Sequence, residues 1–570
     1  MQRNFWKRTK VSDTAARAGR SDVGWRGFFG RWFSNAGSGE EVAGHHGSPR
    51  IYPQIADIAV EVTLPISFVV IRFSDEYRHN FLKSTSAHDP LNEVIEVDNS
   101  SNLYYDNLSQ AIAAGLEQSK NDIIAVIHED VLLPEGWQAQ FQQTLMELEE
   151  HDPSWGMLGS VGWDASGEFV GHWSDPHQFK NTFEGRHDNF QEVVKLDEQL
   201  LIFHRQRAPI LDKNLPGIHF LGEDLKHELA RVGLKTYAIN APTIHKFANR
   251  DGEIIISSNQ SDKISDRESA TYLADEACCK DYVSWKYPSL FPAPAPVAMS
   301  NPIEASKRLQ LQRPVIILCN GVQESALVCQ VVRNCGVFIA EETRSPGEPS
   351  ELMVALFKII IEKFRCHAPW QTGYTARTLP SIAAQTLEGL PPEQPWALFF
   401  PESVLILPEL SQVFPNARYL CVHRDPLDIC LGATHRMARL DNHIGRIALP
   451  EAYSYLGRER ALILCDDELD HMVYTTIHQI ELVNQHLAAV AGSDSLVLRF
   501  EELSNNPVST VQPLYSWLGG PVFNRSMDPI RIEESGAIRS DVYSQARIAA
   551  AADKLRGKRE ALGYISLDDA

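Results

Sequence analysis

The chain has 570 residues, 44% of them hydrophobic and 22% charged, an ordinary balance for a folded protein of two to four domains. Lys and Arg number 53 against 74 Asp and Glu, and the formal charge of −21 excludes general affinity for nucleic acid, which depends on neutralising phosphates. Collagen-like and disulfide-scaffold compositions are excluded, and no uncharged apolar run reaches the roughly 20 residues of a membrane span.

Residues 1–50 run against this balance, with nine basic residues and four acidic ones. They are rich in Gly, Ser, Arg and Ala without sustained periodicity and read as a disordered basic leader. Within them, Trp25, Phe28, Phe29, Trp32 and Phe33 recur at helical spacing beside Arg26 and Arg31. A helix over 25–33 would give a peripheral membrane contact; two glycines favour a plain flexible leader instead. The leader lacks the apolar core of a signal peptide. The nine cysteines begin at Cys278, are odd in number and form no CxxC pair. These features predict reduced, packed thiols in a cytoplasmic protein, with the inner face of the cell membrane as the variant through 25–33.

From residue 51 to 285 the pattern is that of a first α/β domain. Ile66–Phe73 reads as a strand, a helix begins near Asp75, and Glu93–Val97 is a second strand. Leu103–Gln118 has helical periodicity, and Asp122–Ile127 is a buried strand. The alternation predicts a βαβ parallel sheet. The third strand delivers His128, Glu129 and Asp130 at its carboxyl end, where open parallel sheets bind ligands. Carboxylates there can hold Mg²⁺ or Mn²⁺ against a diphosphate, although two acids after a strand also describe an exposed turn.

The segment His128-Glu129-Asp130-Val131 resembles the acidic metal motif of GT-A fold, family-two-type glycosyltransferases, in particular the streptomycin-biosynthesis-like branch. Upstream, Val94–Ser100 looks like that family's second strand. The resemblance then implies that Asp98 contacts the donor nucleoside and that Asn107 matches the family's helix-borne asparagine in the donor site. Downstream, Trp155–Gly162 looks like its glycine-rich strand and Val194–Leu200 like its acidic strand. The stretch from His219 to Gly233 places Glu223 or Asp224 near the acceptor hydroxyl, and Thr243–Lys246 offers His245 as a further metal ligand beside Asp130 and Glu129. Read without the resemblance, Glu223 and Asp224 are first-turn acids favouring a helix dipole, and His245 is a strand-end histidine.

Residues 286–312 contain a proline-rich connector, Tyr287–Pro296, which excludes helix and central strand and reads as a linker. A second domain over 313–570 restarts with a buried strand, Pro314–Cys319, and a helix from about Ser325 to Asn334. Pro415–Asp428, containing Arg424-Asp425-Pro426, resembles the nucleotide-binding strand and loop of sulfotransferases. Leu496–Pro507 and Leu514–Gly519 look like that family's later strand and helix. The resemblance implies that Arg424 grips the 3′-phosphate of 3′-phosphoadenylyl sulfate, a fit to the planar guanidinium fork. In the first loop only Ser325 is retained, while the family's basic residue is Val322 and its glycine is Glu324. A later serine is Gly432, and a lysine-x-proline segment reads Phe399-Phe400-Pro401-Glu402, leaving Glu402 as the candidate base.

The sequence therefore predicts two α/β domains, an N-terminal GT-A (Rossmann-like) glycosyltransferase fold and a C-terminal P-loop sulfotransferase-like parallel sheet. The expected activity is metal-dependent sugar transfer from a nucleotide-sugar donor to a glycan or small-molecule acceptor. The fused domain sulfates or binds the product. Sulfotransfer as the main activity and a noncatalytic glycan-binding or assembly protein are the two alternatives.

Overall fold

The computed structural model describes residues 61–100, 103–171, 173–175, 180–181, 189–248, 266–288, 313–319, 322–340, 349–366, 374–388, 390–391, 394–432, 434–490, 494–505, 507–518 and 542–565. The basic leader with its 25–33 segment, most of the 286–312 linker and the Asn320-Gly321 turn lie outside these residues, as does the side chain of Ser325. The chain divides into two compact units, Met1–Ser265 and Asp266–Ala570.

In the first unit β1 (Ile66–Arg72) is buried along six of its seven residues, as a strand covered on both faces must be. It pairs in parallel with β2 (Glu93–Asp98) and β3 (Ile123–His128). Helix α1 (Leu108–Gln118) begins five residues later than its apolar periodicity implies. Asn107 caps it by accepting from the Gln110 amide at 2.9 Å, which fixes the start. After β4 (Val131–Leu132) and α2 (Trp137–His151) come β5 (Trp155–Gly159), β6 (Val161–Trp163), β7 (Phe169–Gly171), β8 (Trp173–Asp175) and β9 (Lys180–Asn181). The unit continues with β10 (Phe190–Glu192), β11 (Lys195–Leu196), β12 (Leu200–His204), α3 (Leu221–Arg231), β13 (Lys235–Ile239) and β14 (Thr243–His245).

The central sheet has the order β10-β13-β5-β12-β3-β1-β2. It is mixed, not parallel as the strand–helix alternation implied. Strand β12 lies antiparallel between β3 and β5. The chain reaches β12 from β11 through a short connection without a crossover helix, and so it runs back against its neighbour. The unit also holds two small sheets, β11-β6-β7 and β4-β14-β8-β9.

The second unit opens earlier than the proline run suggested. Helix α4 (Asp266–Lys286) belongs to it, because Ala270, Ala274 and Cys278 form a one-face stripe in the same core as Leu356 and Ile360 of α6 (Glu351–Arg365). The order is then β15 (Val315–Cys319), α5 (Val322–Asn334), β16 (Phe338–Ala340), α6, α7 (Tyr374–Thr386), β17 (Trp396–Phe399), β18 (Arg418–His423) and α8 (Pro426–Leu431). It ends with α9 (Gly445–Tyr455), α10 (Glu468–Ala489), β19 (Ser495–Arg499), α11 (Pro507–Leu518) and α12 (Gln545–Ala561). The five strands are all parallel in the order β16-β17-β15-β18-β19, as expected for this half of the chain. The nine cysteines are free thiols. No helix among the described residues is long and apolar enough to cross a membrane.

Gly171 ends β7 opposite Val161 at φ +121°, where a Cβ would run into the Ser160 carbonyl. We expect Gly171→Ala to destabilise the first unit by about 2 kcal/mol or more, read as a lower thermal midpoint. An unchanged midpoint would show that the β6–β7 pairing relaxes freely.

Candidate functional site

The carboxyl ends of β1, β2 and β3 lie side by side, with Arg72 opposite Asp98 and Ile71 opposite His128. Arg72 forms ion pairs with Glu96 and Asp98, and the Ser100 amide donates to Asp98 at 2.8 Å. Immediately after His128 the two acids part company. Glu129 Oε2 accepts from the Phe73 and Ser74 amides, each at 2.9 Å, and Oε1 from the Ser74 hydroxyl at 2.8 Å. It thus ties β3 to the turn after β1. Glu129 stands outside the ligand cluster predicted for it. Its burial pushes the carboxyl up to about 7, against the pull of those three donors.

Asp130 lies at the start of a two-residue ladder. Strand β4 pairs antiparallel with β14, setting His245 opposite Val131, and the Lys246 amide donates to the Asp130 carbonyl at 2.7 Å. The pairing brings His245 Nε2 to 3.3 Å from Asp130 Oδ2, while His128 Nδ1 is 4.0 Å from Oδ1. Ligand atoms of His128, Asp130 and His245 all lie within 4.8 Å of one another. Burial opposes ionisation of Asp130, but the neighbouring His245, Lys246 and His128 outweigh it and hold the carboxyl well below the usual range. Burial holds His128 below the ordinary imidazole value. The cluster therefore presents a carboxylate beside two imidazole rings, side chains of the kind that bind metal.

The fit to a cation is supported by one atom in particular: Asp130 Oδ1 is buried and has no hydrogen-bond donor among the described residues. Two imidazoles and one carboxylate suit Mn²⁺ better than Mg²⁺, which favours an all-oxygen shell.

A second polar cluster was not singled out from sequence. Lys195 Nζ contacts Glu223 Oε1 at 2.8 Å, and Glu198 Oε1 accepts from the Gly222 amide at 2.8 Å at the start of α3. Burial pushes Glu198 up to about 8, with Glu223 adding to the rise. Burial also lowers His219 to about 4, helped by Lys195 and by His128. Burial alone would lower Lys195; Glu223, Glu198 and Asp197 reverse that and hold it above its ordinary value. Glu198, Lys195 and His219 sit within stretches that were legible as motifs, but only strand pairing and the α3 start show that they converge. Of the predicted acid pair, Glu223 lies in this cluster, whereas Asp224 is 0% exposed. Asn107 has a cap bond from Gln110, and its amide also donates to the Lys213 carbonyl at 2.9 Å; it is a buried structural residue.

In the second unit the predicted residues follow three adjacent parallel strands. Ser325 lies in the first turn of α5 after β15, Glu402 follows β17, and Arg424 follows β18. Glu402 is 2% exposed and Arg424 is 7% exposed, with its guanidinium 5.3 Å from the Phe500 ring centroid. Burial at this level disfavours Glu402 as a base for an incoming acceptor. Gly432 ends α8 in a space where a Cβ would approach the Asp428 carbonyl at 3.2 Å.

The same edge is latched by the C-terminal helix. Arg559 makes a bidentate pair with Asp425 at 2.9 and 2.8 Å, and Tyr564 donates to the Glu501 carboxylate at 3.0 Å and shares the His423 carbonyl at 3.1 Å. Arg499 donates to the carbonyls of Leu562 and Gly563 at 3.0 and 3.2 Å. Asp425 caps α8 through the Leu427 amide at 3.0 Å, so the Arg-Asp-Pro segment is held from both sides.

The family model described as "Sulfotransferase family" matches residues 362–524, and the second unit accordingly carries a sulfotransferase-family segment. No curated protein matches the chain significantly. Among solved structures, a sulfotransferase from Alicyclobacillus acidocaldarius is 15% identical, covering 45% of this chain and 98% of that one at a TM-score of 0.25. Sulfotransferase STF9 from Mycobacterium avium is 12% identical, covering 54% and 88% at 0.27. Mannosyltransferase PcManGT from Pyrobaculum calidifontis, in complex with GDP-Man and Mn²⁺, is 13% identical, covering 60% and 92% at 0.26. TM-scores this low carry no weight for either unit.

Removing the bidentate pair with Arg559→Ala should cost about 1–3 kcal/mol and free helix α12 first. Hydrogen exchange of the 545–561 amides is expected to accelerate while that of β15 stays slow. Unaltered exchange in that helix would refute the latch.

Proposed function

We propose that the first unit transfers a sugar from a nucleotide-sugar donor to a glycan or small-molecule acceptor, with Mg²⁺ or, by ligand chemistry, preferably Mn²⁺ held by His128, Asp130 and His245. The observation that supports this reading is the convergence of those three side chains at the carboxyl end of β3, with an unbonded, buried carboxylate oxygen among them. A divalent ion bound there supplies positive charge against the donor's diphosphate as it departs. Asp98, partly exposed beside Arg72, is the candidate for the nucleoside.

For an inverting reaction, Glu223 takes the proton from the acceptor hydroxyl. The acceptor oxygen bonds to the anomeric carbon, the bond from that carbon to phosphate oxygen breaks, and the nucleoside diphosphate leaves with the electron pair. Asp224 is too deeply buried to meet an acceptor, which favours Glu223. Glu198, whose carboxyl is pushed up to about 8 by burial and by Glu223, accepts from the Gly222 amide in this cluster.

The sulfotransferase-family segment supports a second reading, in which the other unit sulfates or holds the product with 3′-phosphoadenylyl sulfate as donor. Its sequence weakens that chemistry. Val322 and Gly432 remove phosphate partners, and Glu324 puts a carboxylate where backbone amides should attract phosphate. A noncatalytic glycan-binding role for the whole chain is the remaining alternative, and metal-dependent turnover separates it from the first reading.

Two outcomes are expected. Asp130→Ala should abolish metal-dependent turnover of nucleotide sugars and weaken Mn²⁺ binding beyond the roughly 10–100-fold typical of losing a ligand's supporting partner, with the thermal midpoint retained. Sugar transfer at the original rate would remove the metal role. In the second unit, loss of two charge-assisted contacts should leave 3′-phosphoadenylyl sulfate binding weaker by roughly two to four decades than in an intact site. Calorimetry on the full chain should show weak binding that improves in Val322→Arg/Glu324→Gly. Tight native binding that collapses in Arg424→Ala would instead establish sulfotransfer.

A further inference from the structure

The three-stranded sheet β11-β6-β7 carries a row that neither cluster explains. Lys195 pairs directly with Trp163, and Trp163 directly with Phe169, so all three residues stand on one face of the sheet. Lys195 Nζ lies 5.1 Å from the Trp163 ring centroid, and Trp163 and Phe169 meet edge to face at 5.3 Å. The row continues off the sheet. Phe169 meets Trp173 at 5.8 Å, and Trp173 meets His245 at 6.5 Å. One end of the strip is therefore the metal-ligand cluster and the other is the Lys195–Glu223 pair.

The Lys195 side chain is 42% exposed and Phe169 38%, whereas Trp173, the ring next to His245, is 8% exposed. Phe169 is held at the surface by a stiff turn. Asp164 Oδ1 accepts from the Ser166 amide at 2.8 Å, the Ser166 hydroxyl at 2.6 Å and the Glu168 amide at 3.0 Å. The Asp164 and Gly167 amides close the same turn at 3.0 Å each. Phe169 is the most exposed ring of a contiguous aromatic row, packed against Trp163 and Trp173 and fixed there by this turn.

We propose that this strip is the acceptor subsite and that its occupant is a pyranose ring of a glycan acceptor. The inference rests on the glycosyl-transfer reading above and deepens it by choosing a glycan over a non-sugar small molecule. Contiguous rings that end on a charged hydrogen-bonding pair, Lys195 and Glu223, match the two surfaces of a sugar. Its C–H face stacks on Phe169, which Trp163 supports edge to face, and its hydroxyls meet Lys195 and Glu223. A lipid surface or an apolar peptide would leave those charges without a use.

The test uses the full chain and three probes, maltotriose, cellotriose and mannotriose, titrated by calorimetry. At least one trisaccharide should bind, with affinity falling at least about tenfold in Phe169→Ala and in Trp163→Ala. Trp163→Phe, which keeps a ring edge to face with Phe169, should stay within about threefold, as should Tyr104→Ala, an exposed aromatic outside the row. Circular dichroism checks that each variant folds. Binding of none of the three by the wild type, or equal binding by Phe169→Ala, overturns the proposal. Mn²⁺ titration of the same wild-type sample separates the two readings. A trisaccharide bound without Mn²⁺ affinity sinks the metal-dependent transfer and keeps the glycan site, whereas Mn²⁺ bound without any trisaccharide sinks the glycan site alone.

Discussion

A ladder of two residues carries the candidate centre of the first unit. Strand β4 and strand β14 are far apart in the chain, and their antiparallel pairing, extended by the Lys246 amide on the Asp130 carbonyl, sets His245 against Asp130. Without it Asp130 would be a buried carboxylate with only the His128 imidazole, 4.0 Å away, beside it, and burial would push it toward the neutral form. With it, the carboxyl stays ionised. The charge state of the site is thus a consequence of strand register, and a one-residue slip would turn His245 to the other face.

The same logic sorts the acids that look alike in sequence. Glu129 and Asp130 are neighbours, yet one is buried against the β1 turn and raised to about 7 while the other is held ionised by histidines. Glu198 and Glu223 are similarly divided: Glu223 is paired with Lys195, and Glu198 is raised to about 8. Environments that push adjacent carboxyls apart are what assign acid, base and ligand roles at a single pH. In the second unit a different device operates, with Arg559, Tyr564 and Arg499 fastening the last described segment across the strand edge that carries Arg424.

Local periodicity made β1, β2, β3 and β15 legible to within a residue or two, and it also placed His128 and Asp130 at a strand end. What depended on distant pairing was not legible. The antiparallel insertion of β12 comes from the short route the chain takes out of β11. The convergence of Lys195 and Glu198 with Glu223 needs β11 and the start of α3 together. Asn107 matched a donor-site motif, but a capping bond and a tie to Lys213 occupy it. Helix α4 reads as the tail of the first domain because the prolines follow it, while its Ala270, Ala274 and Cys278 stripe has its partner in α6. Sequence composition marks where a chain cannot form regular structure, not where one core ends.

The most direct test of the account is pulsed electron paramagnetic resonance of Mn²⁺ bound to the full-length protein, which reads nitrogen nuclei in the metal's own coordination shell. Bound Mn²⁺ is expected to show ¹⁴N couplings from two imidazoles, His128 and His245, with one of them lost in His245→Ala. A bound Mn²⁺ showing oxygen ligands alone, or a spectrum unchanged by that substitution, would contradict it.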